Sequence, residues 1–236
     1  MKALRVGTTE GRFRMIMPEL MQEFHRECPE VRLEGVIGNA EQLREMLTAG
    51  ELDLAFSGIS PLDSEQFSME MIFDERLYFV ISDGMLRRYF PDDPEAILAR
   101  WAEQGADLRE LAKRKVPFSK SLPNLHCMQI LDAQCAAAGT ELDCIHQSGH
   151  FDLHMEMAMR DLAVCFCLSM YVPYFEMLNR RMQDKPSPEN RLYRFPVRGL
   201  TETNPVYLLH LKLQSLSPSG EVFRKLLLRK CEEIGI

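Results

Sequence analysis

The first part of the chain alternates between short strand-like segments and longer stretches with helical periodicity. Leu4–Thr8 predicts a short buried strand, and the Gly-Thr-Thr-Glu-Gly sequence at its exit supplies turn residues. Beyond this turn, apolar side chains recur every three or four residues, which places them on one face of a helix. They are Phe13, Ile16, Met17, Leu20, Met21, Phe24 and Cys28. Pro29 ends this helix, and Val31–Ile37 predicts a second strand.

A second helix and a third strand complete this first set of elements. Asn39, followed three residues later by Gln42, resembles a capped helix start. Gly50 closes that helix, and Leu52–Phe56 predicts another strand. The order is therefore β-α-β-α-β, and strands that are separated by helices predict a parallel sheet.

The same order of elements appears again from residue 116 onward. The predicted elements of this second copy are strand Val116–Ser119, helix Leu125–Ala138, strand Asp143–Gln147, helix His150–Arg160 and strand Leu162–Leu168. The spacings between successive strand starts are nearly the same in the two copies. The repeat predicts two similar α/β lobes.

Three segments outside the two copies predict how the lobes are connected. Ser68–Ser82 predicts a long strand pair that passes from one lobe to the other, and Val206–Leu213 predicts a later strand. Between the copies, Asp93-Pro94 starts a helix that runs to Gln104.

The last helix, Gly220–Ile234, has an apolar face that is expected to pack on the first lobe. The predicted fold class is α/β: two Rossmann-like lobes with mixed, mainly parallel sheets, joined by two crossover strands. Lobe I is expected at residues 1–80 plus 201–236, and lobe II at residues 81–200.

Polar residues after the predicted strands are the candidate ligand contacts. Ligands of such sheets bind beyond the carboxyl ends of the strands, so the cleft between the lobes is the expected site. Free backbone N–H groups at strand-to-helix turns favour an anion, and Lys120 would neutralise a carboxylate. The alternatives are plain helix caps and a solvated lysine. The candidates are Thr8, Thr9, Ser57, Gly58, Ser119, Lys120, Ser121, Ser148 and His150.

Composition and charge narrow the class of protein. With 46% hydrophobic residues among 236, the chain has enough apolar side chains for a compact core. Lys and Arg total 28 against 35 Asp and Glu, a net charge of −7 that disfavours nucleic acid as a direct partner. No apolar run approaches the roughly 18 residues that span a bilayer, and the amino terminus lacks the apolar core of a signal peptide. We therefore expect no membrane association and a cytoplasmic location.

The cysteines and histidines favour structural roles. Seven cysteines at irregular spacing argue against a disulfide framework. Cys165 and Cys167 are two residues apart on a predicted strand, which favours core packing over a disulfide. His146, His150 and His154 are spaced by four residues, but the glutamate of a zinc-binding HExxH motif is missing.

Motifs of other function classes are also missing. No metal or cofactor is predicted, and no P-loop, dinucleotide-binding or paired-carboxylate motif indicates an enzyme. Scattered residues still allow an enzyme on the same two-lobed fold, which stays an alternative.

The segment Leu4–Phe56 resembles the effector-binding domain of LysR-type transcription regulators. The resemblance rests on the combination of LRVGTTEG, PEVRLEGVIGN and GELDLAF, which follow one another in the same order as in that family. Later segments, DLRELAKRKVPF and ILDAQCAAAG, are similar to the entry into the second lobe and its first helix, whereas Phe90–Gln104 looks like an insertion.

This resemblance implies a type 2 periplasmic-binding-protein-like fold that binds a small-molecule effector and has no enzymatic activity. It implies a homodimer or tetramer, whose two-fold contacts use helices Phe13–Cys28 and Leu125–Ala138. It also implies that DNA is contacted only through an N-terminal winged helix-turn-helix domain, which lies outside this chain.

Two alternatives stay open within this resemblance. The first is a free-standing solute-binding protein, which needs an export signal. The second is a redox-sensing family member that uses Cys127 and Cys135, because HCMQILDAQCAAAG resembles the cysteine-bearing segment of peroxide-sensing members. Two ordinary helix cysteines are the competing interpretation.

Overall fold

The structure is a computed structural model that describes residues 2–58, 65–183 and 191–234. In chain order, the strands and helices are β1 (Lys2–Thr8), α1 (Glu10–Glu27), β2 (Val31–Ile37), α2 (Ala40–Thr48), β3 (Leu54–Gly58), β4 (Phe67–Glu75), β5 (Leu77–Ser82), α3 (Asp83–Tyr89), α4 (Pro94–Gln104), α5 (Leu108–Lys113), β6 (Pro117–Lys120), α6 (His126–Ala137), β7 (Asp143–Gln147), α7 (Phe151–Met159), β8 (Cys165–Leu168), α8 (Val172–Gln183), β9 (Leu192–Pro196), β10 (Asn204–Leu211) and α9 (Pro218–Ile234).

The chain divides into two compact units. Unit 1 comprises Met1–Glu75 and Pro205–Ile236, and unit 2 comprises Arg76–Asn204. The lobe boundaries expected from the sequence, after residues 80 and 200, lie a few residues from these divisions. Strands β4 and β5 lie on either side of the first division and belong to different sheets.

Unit 1 is built on a five-stranded sheet with the strand order β2-β1-β3-β10-β4. Strand β1 pairs in parallel with both β2 and β3, as the first β-α-β-α-β copy predicts. Strand β10 is antiparallel to β3, which makes the sheet mixed. The register places Thr8 opposite Ile37 on one side and Phe56 on the other, so the carboxyl ends of the three parallel strands are aligned.

Helices cover the sheet of unit 1 because each presents an apolar stripe. On α1, Ile16, Leu20 and Phe24 are buried. Helix α9 packs beside α1, where the ring of Phe223 lies 6.2 Å from Phe24 and 6.4 Å from Phe56 between centroids. The predicted docking of the last helix on the first lobe is therefore confirmed.

Unit 2 combines a three-stranded sheet, β8-β5-β9, with the pair β6-β7. Strand β5 is antiparallel to both of its neighbours, whereas β6 and β7 are parallel, as the second copy predicts. A parallel bridge between Phe118 and Val164 joins β6 to the residue that precedes β8. This unit therefore repeats the parallel core of unit 1 and adds antiparallel strands.

The segment that resembles an insertion, Phe90–Gln104, supplies part of the core of unit 2. Helix α4 begins at Pro94 and ends at Gln104 as predicted, and the Asp93 carboxylate accepts a hydrogen bond of 3.0 Å from the backbone N–H of Ala96. Trp101 on this helix is completely buried. The segment is therefore a structural element of the unit rather than a surface addition.

Several predicted strands have different limits in the structure, among them β8 and β3. Strand β8 begins at Cys165 rather than Leu162, because Asp161 adopts a positive φ of 55° and the backbone N–H of Leu162 bonds to the carbonyl of Met157. Strand β3 runs to Gly58, two residues past the predicted end. The elements α3, α5, α8 and β9 were not predicted.

Candidate functional site

In unit 1, two of the candidate hydroxyls hold neighbouring strands together. Thr8 is completely buried, and its Oγ1 donates a 2.7 Å hydrogen bond to the carbonyl of Phe56 across the β1-β3 pair. Ser57 is also buried, and its Oγ donates over 3.2 Å to the carbonyl of Gly58 at the end of β3. Both hydroxyl protons are engaged, so these side chains can meet a ligand only as acceptors.

Thr9 has a different hydrogen-bond arrangement. It is the N-cap residue of α1, yet its side chain makes no capping hydrogen bond. Its Oγ1 instead accepts a 3.1 Å hydrogen bond from Nη1 of Arg12. Because the oxygen accepts, the hydroxyl proton is directed to another acceptor. Thr9 is therefore suited to donate to a ligand beside the first turn of α1, where the helix dipole favours negative charge.

Arg12 is a residue that the sequence reasoning missed. Its guanidinium forms a buried ion pair with Glu75, with 2.5 Å between Nη2 and Oε2 and side-chain exposures of 7% and 0%. The sequence signal was available: Arg12 lies four residues before Ile16 and therefore on the buried face of α1. The ion pair links the turn that holds Thr9 to the last residue of β4.

In unit 2, Ser119 lies between two histidines at the end of β6. Its Oγ is 3.0 Å from Nδ1 of His146 and 2.6 Å from Nδ1 of His154. His154 is buried, and its Nε2 is 3.0 Å from the carbonyl of Ser148. Burial lowers the pKa of His154. His150, the candidate at this turn, is exposed and is the N-cap residue of α7.

Lys120 and Ser121 follow on the same strand end. Lys120 already has a partner, since its Nζ lies 2.6 and 2.8 Å from the two carboxylate oxygens of Asp132 on α6. The Ser121 side chain is buried, and its Oγ has no hydrogen-bond partner among the residues that the structure describes. A buried hydroxyl without a partner is unfavourable, so Ser121 is the candidate whose environment most clearly calls for a ligand.

Hydrogen bonds to backbone carbonyls connect the turn after β6 with the turn after β7 in unit 2. The backbone N–H of Ser148 donates 3.1 Å to the carbonyl of Lys120, and the Gln147 side chain donates 3.4 Å to the carbonyl of Ser121. The Ser148 Oγ accepts from the backbone N–H of His150. The candidates that follow β6 and β7 are therefore neighbours in space.

The two cysteines of the redox alternative, Cys127 and Cys135, are both buried. The pKa of Cys135 is raised to about 11, mainly by burial and further by the charge of Asp132. Since the thiolate is the form that reacts with oxidants, this environment disfavours a sensing role. Cys165 and Cys167 are buried and unpaired, and burial raises the pKa of Cys167 to about 12. The described residues contain no cluster of three His, Cys, Asp or Glu side chains suited to a metal ion.

A groove in unit 1 lies away from these candidates. It has a volume of about 350 Å³ and is formed by the end of α1 and the start of β2, with Met21, His25, Pro29, Arg32 and Leu33 in its lining. The start of β2 is at the opposite end of the parallel strands from Thr8 and Ser57. The groove therefore does not coincide with the candidate ligand contacts.

The family of the chain is shown by a match that covers nearly all of its residues. A family model described as the LysR substrate binding domain matches residues 2–232. The chain therefore belongs to the LysR substrate-binding domain family, the effector-binding part of LysR-type transcription regulators. A sequence comparison with curated proteins gives no match.

Solved structures show the same fold. The chain is similar to HinK, a LysR family transcriptional regulator from Pseudomonas aeruginosa, with 16% identity, a TM-score of 0.69, and coverage of 97% of this chain and 70% of that chain. It is similar to the effector-binding domain of QuiR in complex with shikimate, with 13% identity, a TM-score of 0.66, and coverage of 98% and 97%. It is also similar to the BenM effector-binding domain with its effector benzoate, with 15% identity, a TM-score of 0.69, and coverage of 99% and 94%.

These similarities confirm the family resemblance and the fold class predicted from the sequence. At such low identities they show the type 2 periplasmic-binding-protein-like fold, not the ligand. Within the part of the chain that the structure describes, each helix is too short or too polar to cross a lipid bilayer.

Proposed function

We propose that this chain is a non-enzymatic sensing domain that binds a small organic acid at the polar residues that follow its strands. The observation that supports this most strongly is the buried Ser121 hydroxyl, which has no partner among the described residues at the end of β6. A ligand acceptor would satisfy it. Thr9, whose hydroxyl proton is not used by Arg12, is the corresponding donor of unit 1.

An anionic ligand fits these groups better than a neutral one. Two hydroxyl donors and the first turn of α1 all favour an acceptor that carries negative charge. Lys120 contributes less to this role than an unpaired lysine would, because Asp132 already pairs with its ammonium group. The ligands of the QuiR and BenM domains, shikimate and benzoate, are both small carboxylates.

In the full regulator, we propose that effector binding to this domain changes how the DNA-binding domains are presented. An effector that prefers one conformation of the domain shifts its population, and a dimer or tetramer passes this change to DNA-binding domains outside this chain. We propose the exposed faces of α1 and α6 as the two-fold contact. A cytoplasmic location belongs to the same proposal and agrees with the absence of a disulfide among the described residues.

Binding of carboxylates to the purified chain tests this function. We expect benzoate, shikimate or another member of a panel of small carboxylates to raise the melting temperature, while the matching amides and methyl esters do not. Ser121→Ala and Thr9→Val each remove one hydrogen bond to a charged group, which is worth about 1.5 to 3 kcal/mol. Each variant should therefore weaken the affinity for the best carboxylate by roughly 10-fold or more, measured by calorimetry.

The matched control for this experiment is Ser215→Ala, which removes an exposed hydroxyl after β10. This variant should bind the carboxylate like the wild-type chain. Equal binding of amide and carboxylate would contradict an anionic effector. Unchanged affinity in Ser121→Ala would remove the main support for the proposed contacts.

A further inference from the structure

The side chains of His146, Ser119 and His154 form a chain of hydrogen bonds with a fixed direction. A carbonyl oxygen only accepts, so the contact between Nε2 of His154 and the carbonyl of Ser148 places the proton on Nε2. Nδ1 of neutral His154 is then an acceptor, and the Ser119 hydroxyl donates to it over 2.6 Å. The sulfur of Met157, at 3.5 Å from Ser119 Oγ, is a weaker acceptor.

This direction determines the state of His146. The Ser119 hydroxyl has one proton, which is used toward His154, so its oxygen accepts from Nδ1 of His146 over 3.0 Å. Neutral His146 therefore carries its proton on Nδ1 and has a lone pair on Nε2. His146 is only half-buried, in contrast to His154, which is 1% exposed.

A second ring proton has different effects on these hydrogen bonds, depending on which of the two histidines receives it. A proton taken from solvent by Nε2 of His146 leaves every hydrogen bond of the chain in place. A proton on Nδ1 of His154 would instead leave the Ser119 oxygen between two N–H donors, with its own hydroxyl proton displaced toward Met157. Geometry therefore favours charge on His146 and a neutral His154.

We infer that His146, rather than His154, takes the first additional ring proton at the strand end of unit 2, and that Ser119 and His154 are positioning residues that fix the tautomer of His146. Such a charge would favour an anionic effector beside the turns of β6 and β7. This role in effector binding rests on the function proposed above, whereas the order of protonation does not.

The groups around His154 agree with this order. Burial lowers the pKa of His154 most, the Ser148 carbonyl opposes this, and the charges of His146 and His150 lower it further while Asp152 raises it.

Strands β5, β6 and β8 pack against α7, and their titratable groups interact with residues other than His146 and His154. On β6, Lys120 is paired with Asp132. On β5, Tyr78 lies under the guanidinium of Arg194, and on β8 the Cys165 thiol bonds to the sulfur of Met155.

Ring nitrogen NMR of the ¹⁵N-histidine-labelled chain tests the inference without any ligand. The six histidines can be assigned by single His→Gln variants. We expect neutral His146 as the Nδ1–H tautomer and neutral His154 as the Nε2–H tautomer. On lowering the pH, His146 should gain its second ring proton at a higher pH than His154.

The variant Ser119→Ala removes the hydroxyl that bonds to both histidines, and we expect the Nδ1–H tautomer of His146 to be lost in this variant. Ser121→Ala, two residues further along the same strand end, is the matched control and should leave both tautomers unchanged. The inference is overturned if His154 protonates first, if neutral His146 is the Nε2–H tautomer, or if Ser119→Ala leaves the His146 tautomer as it was. Because the wild-type spectra alone decide the first two points, the inference can fail while carboxylate binding holds, and the reverse.

Discussion

Replacing Arg12 with methionine is expected to lower the free energy of unfolding by about 3 to 5 kcal/mol, because it removes the guanidinium that pairs with the buried Glu75 carboxylate. The two side chains are 7% and 0% exposed, and 2.5 Å separates Nη2 from Oε2. Urea unfolding measures the change. The double variant Arg12→Met with Glu75→Leu removes both charges and should recover most of the loss, since an apolar pair of similar volume can replace a buried ion pair.

The matched control for this prediction lies on the same helix. Arg14 pairs with Glu10, with side-chain exposures of 52% and 37%, and such exposed pairs contribute less than about 1 kcal/mol. Arg14→Gln should therefore unfold close to the wild-type chain. A loss below about 1 kcal/mol in Arg12→Met would show that Glu75 is not buried as described. A double variant as unstable as the single one would attribute the loss to packing rather than charge.

Trp101→Ala is expected to destabilise unit 2 by about 3 to 5 kcal/mol, because it empties the centre of an aromatic cluster. The indole ring is completely buried and lies 5.4 Å from Phe79, 5.1 Å from Phe90 and 5.6 Å from Phe195 between centroids. Its Nε1 donates 3.2 Å to the carboxylate of Glu110. Thermal unfolding followed by circular dichroism measures the loss.

Two further variants separate packing from other effects of changing α4. Trp101→Phe keeps most of the ring volume but loses the bond to Glu110, so it should cost less than the alanine variant. Glu103→Ala changes an exposed side chain on the same helix and should stay within about 0.5 kcal/mol of wild type. A Trp101→Ala chain as stable as wild type would contradict the role of α4 in the core of unit 2.

The elements that could be predicted from the sequence are those whose signals are local. The capping box of Asn39 and Gln42 is present at the start of α2, and the Asp93-Pro94 start of α4 is correct to the residue. Both depend on side chains within one helical turn of each other. Strand β9 was missed because its sequence, Leu-Tyr-Arg-Phe-Pro, is short and polar in part, and its pairing with β5 is not encoded locally.

The candidate site was predictable as a set of positions but not as a set of interactions. Strand ends after a β-α-β pattern identify where Thr9 and Ser121 lie. The partners that decide their chemistry are distant in sequence: Arg12 and Glu75 are 63 residues apart, and Ser119 and His154 are 35 apart. No periodicity in a single chain reports such contacts, so the pairing of Arg12 with Glu75 and the role of His154 emerged only from the structure.

The central claim is that a small carboxylate binds at the strand-end turns of this domain. The most direct test is a titration followed by ¹H–¹⁵N amide spectra, using the carboxylate that raises the melting temperature most. We predict the largest shift changes at residues 8–12, 57–58, 119–122 and 147–151. Changes confined to residues 21–33, around the groove formed by α1 and β2, would contradict the claim and place the ligand at the other end of the parallel strands.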